Sequence, residues 1–124
     1  MDIREKILST DDRNFEVVEC PEWGVSVRVY SMSTRDKTRF LKALSATGEL
    51  PDDYFAQLVY LCACGEDGIR LFTEKDIELL QEKSAIATKR VTDVAIAING
   101  LAGDAAGQAE KNSDAIRPGL PDTD

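Results

Sequence analysis

Residues 15–30 run Phe15-Glu16-Val17-Val18-Glu19-Cys20, Pro21-Glu22-Trp23-Gly24, Val25-Ser26-Val27-Arg28-Val29-Tyr30, and they decide the fold class. In the last six residues Val25, Val27 and Val29 alternate strictly with other side chains, the period of a strand with one buried face. The first six, rich in β-branched and aromatic residues, read as the partner strand. Between them Pro21 presets φ and Gly24 permits positive φ, so a four-residue turn suffices. The stretch predicts a β-hairpin over 15–30. A lone two-stranded hairpin is marginal in water, so it must pack on helices, gain strands or pair with another chain.

Helical patterns surround the hairpin. Residues 2–8, with Ile3, Ile7 and Leu8 apolar, read as one or two helical turns. Ser33 is an N-cap candidate with Asp36 three residues on, as in a capping box. It opens a helix expected over about 33–46, with Phe40, Leu41 and Leu44 inward. Pro51 and the Asp52-Asp53 pair mark the start of a helix over 52–64. Phe55, Leu58, Val59 and Cys62 form its stripe, widened by Tyr54, Leu61 and Ala63. This most hydrophobic helix is the expected centre of the core. After the turn Glu66-Asp67-Gly68, Thr73 caps a short helix over 73–82, with Asp76 at its third position and Phe72 stapled onto Ile77. Ser84 opens a last helix over 84–99, buried along Ala87, Val91, Val94, Ala95 and Ile98. Asn99-Gly100-Leu101 reads as a Schellman ending, with Leu101 reaching back to Ile96. The expected architecture is α+β, mostly α: an N-terminal β-hairpin packed on a bundle of about four helices, in one globular domain over 1–103. Residues 104–124 hold no aromatic residue and five acids against Lys111 and Arg117. They are expected to be a disordered acidic tail.

Composition narrows the function. A chain of 124 residues is one ordinary domain, and 43% hydrophobic with 31% charged residues is globular composition. Lys and Arg total 15 against 23 Asp and Glu, a net charge of −8, which argues against nucleic acid as a partner. The absence of histidine excludes Ser-His-Asp and Cys-His catalysis and His-ligated zinc. No apolar run approaches the ~18 residues of a membrane span, and the N-terminus lacks a signal-peptide pattern. The expected location is therefore the cytoplasm of the cell that makes the chain.

The three cysteines, Cys20, Cys62 and Cys64, suit a reducing compartment. On a helix Cys62 and Cys64 would point to different faces, so they read as small buried thiols rather than metal ligands. The carboxylate pairs Asp11-Asp12, Asp52-Asp53 and Glu66-Asp67 fall at turns and helix starts and read as caps. No dinucleotide, P-loop or nucleophile-elbow motif is present. The expectation is a non-enzymatic interaction protein with no cofactor or metal.

The candidate contact residues follow from the same patterns. Trp23, at the hairpin tip, is either a contact anchor or a side chain folded back over the core. Val25, Val27 and Val29 lie on a strand with no proline or lysine to protect its edge. Arg35, Arg39 and Lys42 share one side of their helix, as a basic face for an acidic partner or as a solvated surface.

An ordered set of short stretches resembles the tail assembly chaperones of long-tailed, siphovirus-type bacteriophages. They are Val18-Glu19-Cys20-Pro21-Glu22-Trp23-Gly24 with Val27-Arg28-Val29, Glu66-Asp67-Gly68 with Leu71-Phe72-Thr73, Glu82-Lys83-Ser84, Asn99-Gly100-Leu101 and Ala109-Glu110-Lys111-Asn112. The resemblance implies a non-catalytic protein of the bacterial host cytoplasm, absent from the mature virion. It would bind the tape measure protein, keep it soluble, help recruit the major tail protein, and self-associate. It also implies that a longer frameshifted form can exist. Composition alone fits equally a general acidic protein–protein adaptor domain of an unrelated pathway.

Overall fold

The structure, a computed structural model, describes residues 2–101. The expected disordered tail at 104–124 lies outside the described residues. The hairpin forms at the expected positions: β1 (Phe15–Cys20) pairs antiparallel with β2 (Val25–Tyr30), with Phe15 opposite Tyr30 and Cys20 opposite Val25. Gly24 closes the turn at φ 69°, a backbone region that costs glycine little. A third strand, β3 (Ala63–Cys64), pairs antiparallel with β2 and gives the order β1-β2-β3.

That strand replaces the last two residues expected to be helical. The helix α3 (Tyr54–Cys62) stops at Cys62, and Ala63 turns to extended backbone. The free edge of β2 and the following Gly65 favour pairing over another half-turn of helix. Ala63 C=O then accepts the Leu71 N–H at 3.1 Å, and the Gly65 N–H donates to Ile69 C=O at 3.0 Å. The segment 65–71 thus folds back beside β3, and Arg70 bridges to Cys64 on its outer side.

Before the sheet comes α1 (Ile3–Ser9), capped reciprocally by Asp2 and Glu5 and carrying no buried residue. After it, α2 (Thr34–Thr47) starts where Ser33 Oγ accepts the Asp36 N–H at 3.1 Å and ends at Gly48 with φ 74°. The expected capping box is only half formed, because the Asp36 carboxylate pairs with Arg70. Thr73 and Asp76 do cap each other, but they open a 3-10 turn (Glu74–Asp76) and a single α turn, α4 (Ile77–Leu80). The helix expected over 73–82 is therefore shorter than its pattern. Last comes α5 (Ala85–Ile98), capped by Ser84. It is followed by Gly100 at φ 67° and by Leu101, which is fully buried.

Opposite residues in an antiparallel pair share a face. Val18, Cys20, Val27, Val29 and Ala63 form the buried inner face of the sheet. Leu58, Val59 and Cys62 of α3 and Ala87, Val91 and Ala95 of α5 pack against it. The two alanines of α5 let its backbone approach the strands closely. Burying Leu58, which retains none of its exposure, contributes roughly 1.5–3 kcal/mol. The helical layer is thus chiefly α3 and α5, not a bundle of about four helices. α4 is one turn against α3. α2 is held at the side by Phe40, whose ring lies 5.5 Å from that of Tyr54. In α3 the expected inward Phe55 is half exposed and Tyr54 is buried in its place. The helix begins at Tyr54, two residues later than its pattern.

Candidate protein-contact surface

Three regions of surface carry side chains that the core does not use. The first is the outer face of the sheet. Phe15 stacks on Tyr30 with ring centroids 4.9 Å apart. The Arg28 guanidinium lies 4.5 Å from the Phe15 centroid, and that of Arg13 lies 5.1 Å from the Tyr30 centroid. Arginines over aromatic faces in this range are attracted by the ring quadrupole. Tyr30 is buried from the outside by the loop after β3: a Cβ at Gly68, φ 78°, would sit 3.0 Å from the Tyr30 hydroxyl. Phe15 and Val17 stay exposed at 41% and 57%. They lie on β1, whose outer edge has no strand partner among the described residues.

The second region is α1, where Ile3, Ile7 and Leu8 are all exposed. Three large apolar side chains on a two-turn helix are more than a solvated element needs, and such a patch marks a contact surface. The third is the outward side of α2. Arg35, Arg39 and Lys42 are exposed there, and among the described residues none has an acidic partner. The only acid of α2, Asp36, is committed to Arg70, whose guanidinium also lies 5.1 Å from the Tyr60 centroid.

The residues read from sequence as contacts divide. Arg35, Arg39 and Lys42 are at the surface together, and Val25 is exposed at 53%. Val27 and Val29 are not available: they lie on the inner face of the sheet, buried against α3 and α5. Trp23 is half-buried and packed against the core. Its neighbour Glu22 takes a two-pronged hydrogen bond from Arg90 of α5, with Arg90 Nη2 to Glu22 Oε2 at 2.8 Å and Arg90 Nε to Oε1 at 2.9 Å. That pair ties the hairpin tip to the helix, and the Arg90 guanidinium holds the Glu22 carboxyl below its ordinary range.

Phe15, Val17 and the apolar side of α1 are exposed apolar surface that the sequence reading did not single out. Phe15 and Val17 alternate with core residues in β1, and the identity of the outer face was the missing information. For α1 the signal was present in Ile3, Ile7 and Leu8, but no pattern tells whether a short amphipathic helix docks on its own chain.

The remaining reactive side chains lie outside these regions. All three cysteines are buried thiols. Burial pushes Cys62 up to about 12, against a hydrogen bond from Asn99 Nδ2 at 3.6 Å that acts in the other direction. Burial raises Cys20 and Cys64 as well. Thiols shifted that way remain protonated at neutral pH and are poor nucleophiles and ligands. Among the described residues no cluster of cysteine and carboxylate side chains could hold a metal ion, and no helix is long and apolar enough to cross a membrane. The Asp67 carboxylate accepts the Ile69 N–H at 2.9 Å, and Asp53 accepts from Gln57 Nε2 at 3.1 Å. These acids order turns and helix starts.

No family model matches the sequence, and no curated protein matches it. Among solved structures, that of the tail assembly chaperone of bacteriophage HK97 superimposes with a TM-score of 0.54 at 17% sequence identity, over 74% of this chain and 89% of that one. The likeness is one of fold: the chain has a fold like that of a phage tail assembly chaperone.

Proposed function

We propose that the chain is a non-catalytic tail assembly chaperone of a long-tailed bacteriophage. It binds the tape measure protein, keeps it soluble and helps recruit tail tube subunits, within the host cytoplasm and without entering the finished particle. The observation that carries this reading is the superposition on nearly the whole of the HK97 chaperone, joined to the sequence stretches that resemble that family. The surface suits the task. A long helical client exposes apolar side chains along its length, and Phe15, Val17 and the apolar side of α1 offer matching area. Self-association through the open edge of β1 would repeat that area along the client, where many weak contacts in series replace one strong one.

The test is co-expression with the tape measure protein of the same genome. The chain should keep that client soluble and co-purify with it in several copies, and Val17→Asp should lower client recovery while the fold persists. A client that stays soluble without the chain and never co-purifies with it would refute the reading and favour a general adaptor.

A further inference from the structure

The basic outer side of α2 stands out on a chain of net charge −8. Arg35, Arg39 and Lys42 are exposed over about two turns of helix, and among the described residues none of them is paired with an acid. The described chain ends next to this helix. Asn99 Oδ1 accepts the N–H of Met32, two residues before α2, at 2.6 Å. A Cβ at Gly100 would lie 4.0 Å from Lys37 Nζ of α2, and Leu101 is buried. From there the sequence continues through residues 102–124 with Asp104, Glu110, Asp114, Asp122 and Asp124 against Lys111 and Arg117, a net charge of −3.

We propose that the acidic segment 102–124 is the occupant of the basic outer side of α2, and so a built-in competitor for any acidic partner of that face. Reach is sufficient. A chain of this length has an end-to-end distance of roughly 25 Å as a coil, and the helix of 14 residues is about 21 Å long. Attachment at the root of α2 gives the acids a millimolar-range effective concentration at the face. The charges have opposite sign, and contacts between exposed charges are weak enough to be displaced. The inference goes beyond the chaperone reading and does not depend on it, since it holds or fails on the isolated full-length chain.

The experiment uses a nitroxide on Ser113→Cys, which is selective because Cys20, Cys62 and Cys64 are buried. Paramagnetic broadening should concentrate on the backbone amides of Arg35, Arg39 and Lys42. It should vanish at about 0.5 M salt, where screening shortens to a few ångströms, and in the Arg35→Gln, Arg39→Gln, Lys42→Gln variant. Neutralising the segment (Asp104→Asn, Glu110→Gln, Asp114→Asn, Asp122→Asn, Asp124→Asn) should tighten binding of a labelled oligoglutamate peptide by about threefold or more, as expected if the segment fills the face two-thirds of the time. Broadening spread evenly over the domain, or insensitive to salt and to the triple variant, would overturn the proposal. So would unchanged peptide affinity. Broadening that appears only between labelled and unlabelled chains in a mixture would assign the face to a second copy and overturn it equally.

Discussion

Replacing Asn99 with alanine tests how the end of α5 is fastened to the rest of the molecule. The Asn99 side chain is buried, accepts the Met32 N–H at 2.6 Å, and donates to Ala95 C=O at 2.9 Å and to Cys62 Sγ at 3.6 Å. The first bond is decisive, because among the described residues the Met32 N–H has no other acceptor, while Ala95 C=O still receives the Asn99 backbone N–H at 3.2 Å. A partly buried donor left unmade costs roughly 1–3 kcal/mol, and the lost net bonds add about 1 more. We expect Asn99→Ala to destabilise by about 2–4 kcal/mol, read as a lower urea midpoint with an unchanged slope. Asn99→Asp keeps the acceptor for Met32 and loses the donor, so it separates the two bonds. An alanine variant within about 0.5 kcal/mol of the parent would be indistinguishable from a surface change, and would refute the assignment of Asn99 as a fastener between α5 and the start of α2.

Burial raises the Cys62 thiol from 9.0 to about 12 and moves Tyr54 upward as well. A group whose folded value is raised gives stability that is complete below the unfolded value and is lost as pH rises through the folded one. Denaturation midpoints should therefore fall between pH 9 and about 12, and Cys62→Ala should flatten that decline. The Glu22 carboxyl, lowered by Arg90, should return to its ordinary range in Arg90→Gln when followed by NMR titration. In the parent its contribution is present above the unfolded value and fades as acid carries pH down through the folded one. Val27→Asp buries an unpaired charge and should abolish cooperative folding. Val17→Asp, next to the core residue Val18 but on the opposite face of the open strand, should shift the thermal midpoint little and alter association instead. Similar melting of the two variants would contradict the assignment of the sheet's faces.

The fold was legible where periodicity speaks. The hairpin, its four-residue turn and the buried stripes Leu58-Val59-Cys62 and Ala87-Val91-Ala95 follow from spacing alone. The two-residue strand at Ala63–Cys64 was not legible, because its cause is the open edge of β2, thirty-odd residues away in sequence. Val27 and Val29 were misread for another reason: alternation shows that they share a face, but that α3 and α5 cover this face is a matter of packing between elements distant in sequence. Trp23 could not be assigned from its turn, since the Arg90–Glu22 pair that draws the tip onto α5 joins residues 68 apart. The basic side of α2 was readable from charge at helical spacing, but what meets it depends on where the chain leaves α5.

The junction between α3 and β3 carries a consequence for how the sequence can change. No residue separates Cys62, the last of the helix, from Ala63, the first of the strand. Helix phase and strand phase are therefore geared together. One residue inserted within α3 would turn everything after it by about 100°. One inserted at the junction would exchange the faces of Ala63 and Cys64 and slip their pairing with Val29 and Arg28. Neither shift can be absorbed locally, because Leu58 and Val59 on one side and Ala63 on the other are all seated in the core. Length variation among natural variants of this chain should accordingly be absent from 54–64 and collect at 10–14 and 48–53, where exposed connections can take up extra residues without moving the sheet.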